Sequence, residues 1–228
     1  EFIQDLLLHN FTSIEQIKAK EALYEWNMKN GALVVLFEIA DDKQLVDQSR
    51  IYDLFYTIRK QLLQNYPNAV YTNFTRRIVF LIEPPSPITN AFYEQLQTQC
   101  QTVCQSMEKD YHVTLMVGVG SYQSSLLYAY QSYQEAQKAL AIGNKMRLQI
   151  AFYEKLGLYK LLAPVSETEA AKELLSTYIA PLQEYDKKNG GNLLPMLETL
   201  LKNDWNLKET AKELFIHYNT AKYRYNKI

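Results

Sequence analysis

The pattern of apolar and polar residues divides the first part of the chain into helices and strands. Residues 2–28 carry apolar side chains at helical spacing, interrupted by a turn near HNFTS. The run GALVVLFEIA is continuously apolar, which is typical of a strand buried on both faces. Apolar residues at i, i+3, i+4, i+7 and i+11 from Ile51 then predict an amphipathic helix that ends at Pro67.

The next segments predict a hairpin, two more helices and two more strands. AVYTNF and IVFLIE flank the polar break TRR, which predicts a β-hairpin, and a helix follows over 88–110. VTLMVGVG and IAFYEKLG predict strands on either side of a helix that begins at Ser124 or Ser125. The apolar stripe of that helix comprises Leu126, Tyr130, Tyr133, Ala136 and Leu140. The resulting order, β-α-β-β-α-β-α-β, predicts an α+β fold with helices packed on a sheet.

The pattern changes after Pro164, and only helices are predicted from there to the end. Ser166 followed by Glu169 has the spacing of a capping box at a helix start. Pro181 and the NGG at 189–191 interrupt the helical pattern. We therefore expect connecting helices over 1–28, an α+β domain over 29–163 and a helical domain over 164–228.

The last residues, 206–228, contain two short amphipathic patterns separated by a tight break at 215–217. Leu207, Ala211 and Leu214 share one face of the first pattern. The inner face predicted for the second comprises Tyr218, Ala221, Tyr225 and Ile228, and its outer face Asn219, Lys222, Tyr223, Asn226 and Lys227, with Arg224 at the flank. The small Ala211 allows two helices to cross closely, so the pattern predicts a helix-turn-helix whose second helix enters the major groove of DNA.

The predicted outer face has side chains suited to contacts with a duplex. Lys222, Arg224 and Lys227 can neutralise phosphates or reach guanine, and Asn219 can pair with adenine. Tyr223 can donate to phosphate or pack on sugar. Asn206, as the N-cap, directs the start of the first helix towards a phosphate. The alternative is an amphipathic hairpin that only packs on the preceding helix, LLPMLETLLKND.

Composition and charge narrow the class of protein. The chain has 228 residues, of which 47% are hydrophobic and 21% charged, with a net charge of −1. This is a globular composition, and any DNA-binding surface must therefore be local. No apolar run is long enough to cross a bilayer, no signal peptide is present and the chain begins at Glu1, so we expect part of a longer cytoplasmic protein that does not bind membranes.

The residues that could support metal binding or catalysis do not form a known arrangement. Cys100 and Cys104 lie four apart on a helical pattern without His or acidic neighbours, which predicts reduced thiols and no metal site. His9, His112 and His217 are scattered, without a nucleophile motif nearby. GVGSYQ has a lone glycine pair, typical of a strand end followed by a helix cap. No cofactor is predicted.

The β-α-β-β-α-β order also occurs in nucleotide cyclases, which need metal-binding carboxylates and a glycine-rich hairpin turn. The hairpin here, NFTRRIVF, contains neither glycine nor an acid. Glu38 stands where such an enzyme would carry one acid, Ala40 where a second is expected, and Asp41 and Asp42 follow in a predicted loop. Two metal-ligand positions are not assembled, and the sequence predicts a protein that is not an enzyme.

Two stretches of the sequence resemble one protein family. The stretch from Pro181 to Ile228 resembles the C-terminal helix-turn-helix domain of PucR/CdaR-type bacterial transcriptional regulators. The matching positions are Asn206, Thr210, Ala211, Leu214, Phe215, His217, Asn219, Thr220, Tyr223 and Arg224. VGVGSYQSSLLYAYQSYQEAQKAL is similar to the degenerate GGDEF-like domain that precedes it in this family, with Gly118, Gly120, Tyr133 and Ala136, and EFIQDLL resembles the helix that enters that domain.

The resemblance implies a catalytically silent, degenerate GGDEF-like (nucleotide-cyclase-like) α/β sandwich followed by an all-α DNA-binding domain. It implies a homodimeric regulator that binds a double-stranded DNA operator and responds to a small-molecule effector through an upstream domain. The DNA-reading helix is also similar to that of the Fis nucleoid protein. The candidate DNA-binding residues are Asn206, His217, Tyr218, Asn219, Thr220, Lys222, Tyr223, Arg224 and Lys227.

The sequence departs from the family pattern at a few positions. Ala221 and Tyr225 replace the usual leucines, Phe215 occupies a turn position where many helix-turn-helix proteins have glycine, and the sequence ends at Ile228, before the last residues of its relatives. A second interpretation is a nucleotide- or metabolite-binding signalling protein whose last helices serve oligomerisation. A third is that the GGDEF-like fold binds a small effector without catalysis.

Overall fold

The computed structural model describes residues 1–23, 26, 28–40 and 48–228. The chain divides into two compact units, Glu1–Lys160 and Leu161–Ile228. In the first unit the helices are α1 (Phe2–Leu7), α2 (Ile14–Leu23), α3 (Gln48–Asn65), α4 (Asn90–Tyr111) and α5 (Ala129–Met146). The strands are β1 (Leu33–Ile39), β2 (Val70–Phe74), β3 (Arg77–Ile82), β4 (Leu115–Val119) and β5 (Ile150–Phe152). The predicted order of elements is confirmed.

The five strands form one sheet in the order β2-β3-β1-β4-β5. All neighbours are antiparallel except β4 and β5, which α5 connects as a parallel pair. Phe37 at the centre of β1 lies opposite Ile78 on one side and Val117 on the other. The predicted hairpin is confirmed, and Thr75 and Arg76 form its turn between the paired Phe74 and Arg77.

Strand β1 is buried on both faces because helices cover the sheet on each side, as its continuous apolar run predicts. Leu33, Val35, Phe37 and Ile39 face a core that includes Leu54 and Ile58 of α3 and Leu96 and Val103 of α4. The alternate residues Ala32, Val34 and Leu36 face a second core with Phe2 and Leu6 of α1 and Tyr133 and Ala136 of α5. The fold is therefore a three-layer α+β arrangement.

Helix α5 lies unusually close to β4, and the two glycines of GVGSYQ are the reason. A Cβ atom on Gly118 would lie 2.1 Å from the Ala136 carbonyl oxygen, and one on Gly120 would lie 2.0 Å from that of Ser132. The buried Ser132 hydroxyl accepts a hydrogen bond of 2.9 Å from the Val34 amide of β1. The glycine pair thus serves helix–sheet packing.

Several sequence expectations need correction in detail. The predicted turn near HNFTS is confirmed because it separates α1 from α2, but Leu23, which belongs to the predicted apolar pattern, is exposed. The predicted strand IAFYEKLG pairs only over β5, since residues 153–156 form a 3₁₀ turn. Ser125, one of the two predicted caps, accepts from the Leu127 amide at the start of the 3₁₀ turn that precedes α5.

The second unit is entirely helical, as predicted. Helix α6 (Tyr159–Val165) crosses its boundary, and the remaining helices are α7 (Glu169–Leu174), α8 (Ala180–Asn189), α9 (Leu193–Lys202), α10 (Leu207–Glu213) and α11 (Tyr218–Tyr225), with a π-helical turn at Leu175–Ile179. The capping box at Ser166 is wrong: Thr168 caps α7 by accepting from the Ala171 amide. Ser166 instead donates to the Ala163 carbonyl, because α6 continues to Val165.

The two cysteines are buried inside α4 as free thiols, in agreement with the prediction of reduced thiols. Burial raises the pKa of Cys104 to about 12 and raises that of Cys100 as well, so both thiols stay protonated and unreactive. Among the described residues, no helix is both long and apolar enough to span a bilayer.

Candidate nucleic-acid interface

Helix α9 supports the two terminal helices, and the polar residues before it set where it begins. Gly190 ends α8 in the left-handed conformation, with φ +57°. The Asp186 carboxylate of α8 then accepts hydrogen bonds of 2.8 and 2.9 Å from the amides of Leu193 and Leu194. It therefore satisfies two of the free donors at the start of α9.

Asn206 sets the start of α10, as predicted. Its Oδ1 accepts from the amides of Lys208 at 3.1 Å and Glu209 at 3.3 Å, the geometry of an N-cap. The buried Thr210 hydroxyl donates to the Asn206 carbonyl at 2.8 Å. The Asn206 side chain is exposed, so its amide NH₂ group faces solvent at the helix start.

The turn between the helices depends on a strained aromatic residue. Phe215 has φ +53° and is 96% exposed, while the Ile216 amide donates back to the Ala211 carbonyl at 3.0 Å. Ile216 is thereby directed into the small core below the turn. His217 begins α11, where its Nδ1 accepts from the Asn219 amide at 3.2 Å. The predicted break at 215–217 is confirmed.

Two alanines form the crossing between α10 and α11. Ala211 and Ala221 are buried together with Met196 and Leu200 of α9. Leu207, Leu214 and Ile216 close this core at its edge. With no side chain larger than a methyl group at either position, the two helix backbones can approach closely, as the sequence predicted from Ala211.

The predicted inner face of α11 is only partly correct. Ala221 is buried, but Tyr218, Tyr225 and Ile228 are 41%, 46% and 39% exposed. The reason is that α11 has only eight residues and packs on the short helices α9 and α10, whose core covers one residue of α11. The helix therefore presents a wide polar and aromatic surface.

The acidic side chains of α10 form ion pairs with lysines, whereas α11 has no acidic residue. On α10, Glu209 pairs with Lys212 at 2.8 Å, and Glu213 pairs with Lys202 of α9. Hydrogen bonds from Lys202 and then from Asn203 lower the pKa of Glu213, which stays ionised and joins α10 to α9. The acids beside the turn are thus neutralised locally.

Helix α11 carries basic residues without any acid from 217 to 228. Lys222 and Tyr223 are exposed, and Arg224 is half-buried. The Lys227 ammonium lies 5.5 Å from the ring centre of Tyr185 and 5.8 Å from that of Tyr223. Within the described residues, Lys222 and Arg224 form no ion pair, so their donors are available to an anionic partner.

The sequence-predicted residues lie at the start of α10, at the start of α11, along α11 and just after it, and most of them are exposed. The exposed residues are Asn206, His217, Tyr218, Asn219, Thr220, Lys222, Tyr223 and Lys227, and Arg224 is half-buried. Asn206 and His217 also cap their helices, so changing either affects the fold as well as any contact. Lys208 was missed by the sequence analysis; it is exposed in the first turn of α10, next to the N-cap, and that position is the signal that could have identified it.

In the first unit, the residues at the position of a cyclase active site differ from the metal-binding carboxylates that such an enzyme needs. Glu38 forms an ion pair with Arg77 on the neighbouring strand. The carboxylate that would bind a metal in a cyclase is therefore neutralised by a basic side chain. The hairpin turn beside it contains Thr75 and Arg76. Asp41 and Asp42 lie outside the described residues. Within the described ranges, no three acidic, His or Cys side chains are grouped around a point that could hold a metal.

A cavity at the carboxyl ends of β4 and β5 was not predicted from the sequence. It has a volume of about 370 Å³, and its lining includes Tyr93, Phe152 and Glu154. Its residues come from three separate segments of the chain. No local motif therefore marked it.

Comparison with known proteins defines the class of this chain. Residues 10–142 match the GGDEF-like domain family, which is more than half of the chain, and residues 193–228 match the PucR C-terminal helix-turn-helix domain. The second match coincides with α9, α10 and α11. The chain thus belongs to the GGDEF-like domain family, and its last three helices match a PucR-type helix-turn-helix.

The curated relatives come from two bacteria. The chain is 31% identical over 118 residues to the proline-responsive transcriptional activator PutR of Bacillus subtilis, covering 50% of this chain and 28% of PutR. It is 23% identical to the purine catabolism regulatory protein of the same species, over 100% of this chain and 43% of the relative. It is 28% identical to the carbohydrate diacid regulator of Escherichia coli, over 99% of this chain and 60% of the relative. The chain therefore spans between 28% and 60% of the length of these relatives.

Proposed function

We propose that this chain is the DNA-binding part of a transcriptional regulator. The observation that carries the proposal is the acid-free, exposed basic surface of α11, held by α9 and α10 in a region that matches the PucR helix-turn-helix. The relatives are regulators or activators of transcription by their names. A recognition helix with exposed Lys and Asn side chains can satisfy both phosphates and base edges.

The roles proposed for individual residues follow from their positions. Asn219 and Thr220, in the first turn of α11, are placed to contact base edges, because N-terminal residues of a recognition helix lie deepest in the groove. Lys222, Arg224 and Lys227 neutralise phosphates. Asn206 and Lys208 contact a phosphate at the start of α10, where the Asn206 amide group and the Lys208 side chain are exposed. Tyr218 and Tyr223 pack on sugar or donate to phosphate.

We propose that two copies bind one operator. A single short recognition helix reads only a few base pairs, and two half-sites one helical turn apart increase both affinity and specificity. Exposed apolar side chains at i, i+1 and i+4 in two helical segments of the second unit support self-association, since exposed apolar patches commonly mark protein–protein interfaces. These are Leu161, Leu162, Val165, Leu174, Leu175 and Tyr178.

We propose that the intact protein responds to a small-molecule effector through an upstream domain. The name of the proline-responsive relative supports this proposal.

We also propose that the GGDEF-like domain has no cyclase activity. The support is the Glu38–Arg77 ion pair and a hairpin turn without glycine or an acid. Incubation of the protein with GTP and magnesium should yield no cyclic dinucleotide. Turnover that is abolished by Glu38→Gln would contradict this part of the proposal.

The decisive experiment measures operator binding by the intact protein that carries this chain. A binding site is selected from random duplex DNA and titrated at fixed salt. Lys222→Ala and Asn219→Ala should each weaken specific binding by about 1–3 kcal/mol, and Lys222→Ala should also reduce the dependence of binding on salt if it contacts phosphate.

The matched control is Lys60→Ala, which removes the same charge from an exposed position on α3 in the first unit. It should leave the affinity for the selected site unchanged. If Lys222→Ala and Asn219→Ala bind that site as tightly as the unmodified protein, α11 is not the DNA-contacting helix and the proposal is wrong.

A further inference from the structure

The cavity of the first unit lies where β4 and β5 end and α4 begins. Gly120 follows β4, Phe152 ends β5 and Asn90 is the first residue of α4, and all three contribute to its lining. Its volume of about 370 Å³ is within the range of small-molecule sites, roughly 300–1,000 Å³. It lies entirely within the GGDEF-like unit and shares no residue with the helix-turn-helix.

Two aromatic rings provide the apolar part of the cavity. Tyr93 and Phe152 meet edge to face, with ring centres 6.4 Å apart. Burial first, and then the neighbouring Glu154 carboxylate, raises the pKa of Tyr93 to about 12. The phenol therefore stays protonated beside the Glu154 carboxylate, whose oxygens can accept further hydrogen bonds.

The charged groups of the cavity have both signs. Glu94 and Glu154 contribute two carboxylates. Lys155 contributes an ammonium that donates to the Gln97 side chain at 3.0 Å and lies 4.8 Å from the ring centre of Phe152. Asn90 begins a 22-residue helix, so the partial positive charge of that helix start is directed to the same place as Lys155.

We propose that this cavity binds a small zwitterion, an organic ammonium that carries a carboxylate a few bonds away. The ammonium would lie between the carboxylates and the Tyr93 ring, because Lys155 already lies over Phe152, and the carboxylate would face Lys155 and the first turn of α4. Lys155 disfavours a simple cation, the two glutamates disfavour a simple anion, and the aromatic rings disfavour a hydrated metal ion. A zwitterion satisfies all three.

The cavity is placed to influence the chain that follows it. Phe152, Glu154 and Lys155 belong to β5 and the 3₁₀ turn after it, and the first unit ends at Lys160. A ligand that contacts these residues would rigidify the segment that leads into the helical unit. Ligand binding in this cavity would be separate from effector binding by an upstream domain. It also does not depend on the proposed DNA-binding function.

Thermal unfolding of the 228-residue chain with each free proteinogenic L-amino acid tests the proposal. At least one amino acid should raise the transition temperature by about 3 °C or more at roughly ten times its Kd. Its N-acetyl derivative, which lacks the ammonium, and its amide derivative, which lacks the carboxylate, should each bind about tenfold or more weakly. Hydrogen exchange should slow in 90–97 and 150–156.

Two substitutions and one control localise the effect. Glu154→Gln and Glu94→Gln keep the side-chain shape and should each weaken binding by about tenfold or more. Glu108→Gln, exposed near the other end of α4, should have no effect. Three results would overturn the proposal: no amino acid protects, the N-acetyl derivative binds as tightly as its parent, or only Ca²⁺ or Mg²⁺ protects. Because none of these measurements contains DNA, their failure leaves the proposed operator binding intact.

Discussion

In the GGDEF-like unit a five-stranded sheet is buried between two layers of helices, whereas in the helix-turn-helix unit α9, α10 and α11 enclose a core of four buried side chains. The first unit uses its buried polar groups for packing, as in the hydrogen bond between Val34 and Ser132. The second leaves most polar side chains of α11 in solvent. A large core tolerates few changes, while a small core leaves most of a short helix free to contact a partner.

The same residue type has opposite roles in the two units. Gly118 is required because the backbone of α5 occupies the space of a side chain. Gly190 is required only by its left-handed φ, since no atom lies within 4 Å of an added Cβ. The two units can be followed separately, because the sequence has two tryptophans and one, Trp26 or Trp205, lies in each unit.

The largest effect is expected from Gly118→Ala. The added methyl group would lie 2.1 Å from the Ala136 carbonyl oxygen, so α5 must move away from the sheet. We expect a loss of about 3 kcal/mol in the free energy of unfolding of the first unit. Urea titration in a Trp205→Phe background, with Trp26 fluorescence as the signal, measures it.

Gly190→Ala is the matched change in the second unit, measured by Trp205 fluorescence in a Trp26→Phe background. It should cost only about 0.5–1 kcal/mol, since the strain of a left-handed alanine is partly offset by the lower freedom of alanine in the unfolded chain. A Gly118→Ala variant that is no less stable than Gly190→Ala would show that the close packing of α5 on β4 does not limit the stability of the first unit.

Periodicity alone predicts most of the first unit. The continuous apolar run of β1 requires cover on both faces, and the stripe of α5 from Leu126 to Leu140 supplies part of it. Periodicity does not predict how closely two elements approach each other. GVGSYQ marks a strand end, but the 2.1 Å between a Cβ on Gly118 and the carbonyl oxygen of Ala136 in α5 depends on the tertiary structure. The shift of a helix cap from Ser166 to Thr168 has a similar cause, since α6, which the sequence analysis did not predict, continues to Val165.

The next effect, in the second unit, is expected from Ala221→Leu. Ala221 is fully buried where α11 crosses α10, and a leucine would separate the two helices. We expect a loss of about 1–3 kcal/mol in the free energy of unfolding of this unit, again from Trp205 fluorescence. Operator binding by the intact protein should decrease with it, because the orientation of α11 depends on this crossing.

Thr220→Leu, one residue away and exposed, is the control for stability. It should change the free energy of unfolding by no more than about 0.5 kcal/mol, as expected for a surface position. An Ala221→Leu variant as stable as Thr220→Leu would mean that the second unit accommodates larger side chains than its two-alanine crossing indicates.

The sequence predicted the cap and the turn of the candidate interface correctly, but it did not predict which side chains of α11 are exposed. Asn206 as a cap and the break at 215–217 follow from local rules, because caps and turns depend on a few neighbouring residues. The exposure of Tyr218 and Tyr225 does not, since a helical pattern identifies the inner face but not how much of it the neighbouring helices cover. The cavity of the first unit was beyond sequence analysis because its residues meet only in the folded sheet.

The smallest effect is expected at Phe215, which is exposed, unlike the buried phenylalanines of the first unit. Phe37 and Phe80 are buried in the first unit, but Phe215 is 96% exposed and has φ +53°. Removing its side chain therefore loses little packing, and glycine relieves a left-handed strain of about 1–2 kcal/mol. The greater freedom of glycine in the unfolded chain offsets about 0.4–1 kcal/mol of that gain.

Phe215→Gly should therefore stabilise the second unit by about 0.5 kcal/mol, measured by urea titration with Trp205 fluorescence. Phe215→Ala is the control, because alanine also lacks the ring but keeps the strain, and it should give no gain. If Phe215→Gly destabilises the unit while Phe215→Ala does not, strain at the turn is not the cost that phenylalanine imposes. If both variants retain full stability but weaken operator binding, then the exposed ring contributes to the DNA complex, which explains why an aromatic residue occupies a position that favours glycine.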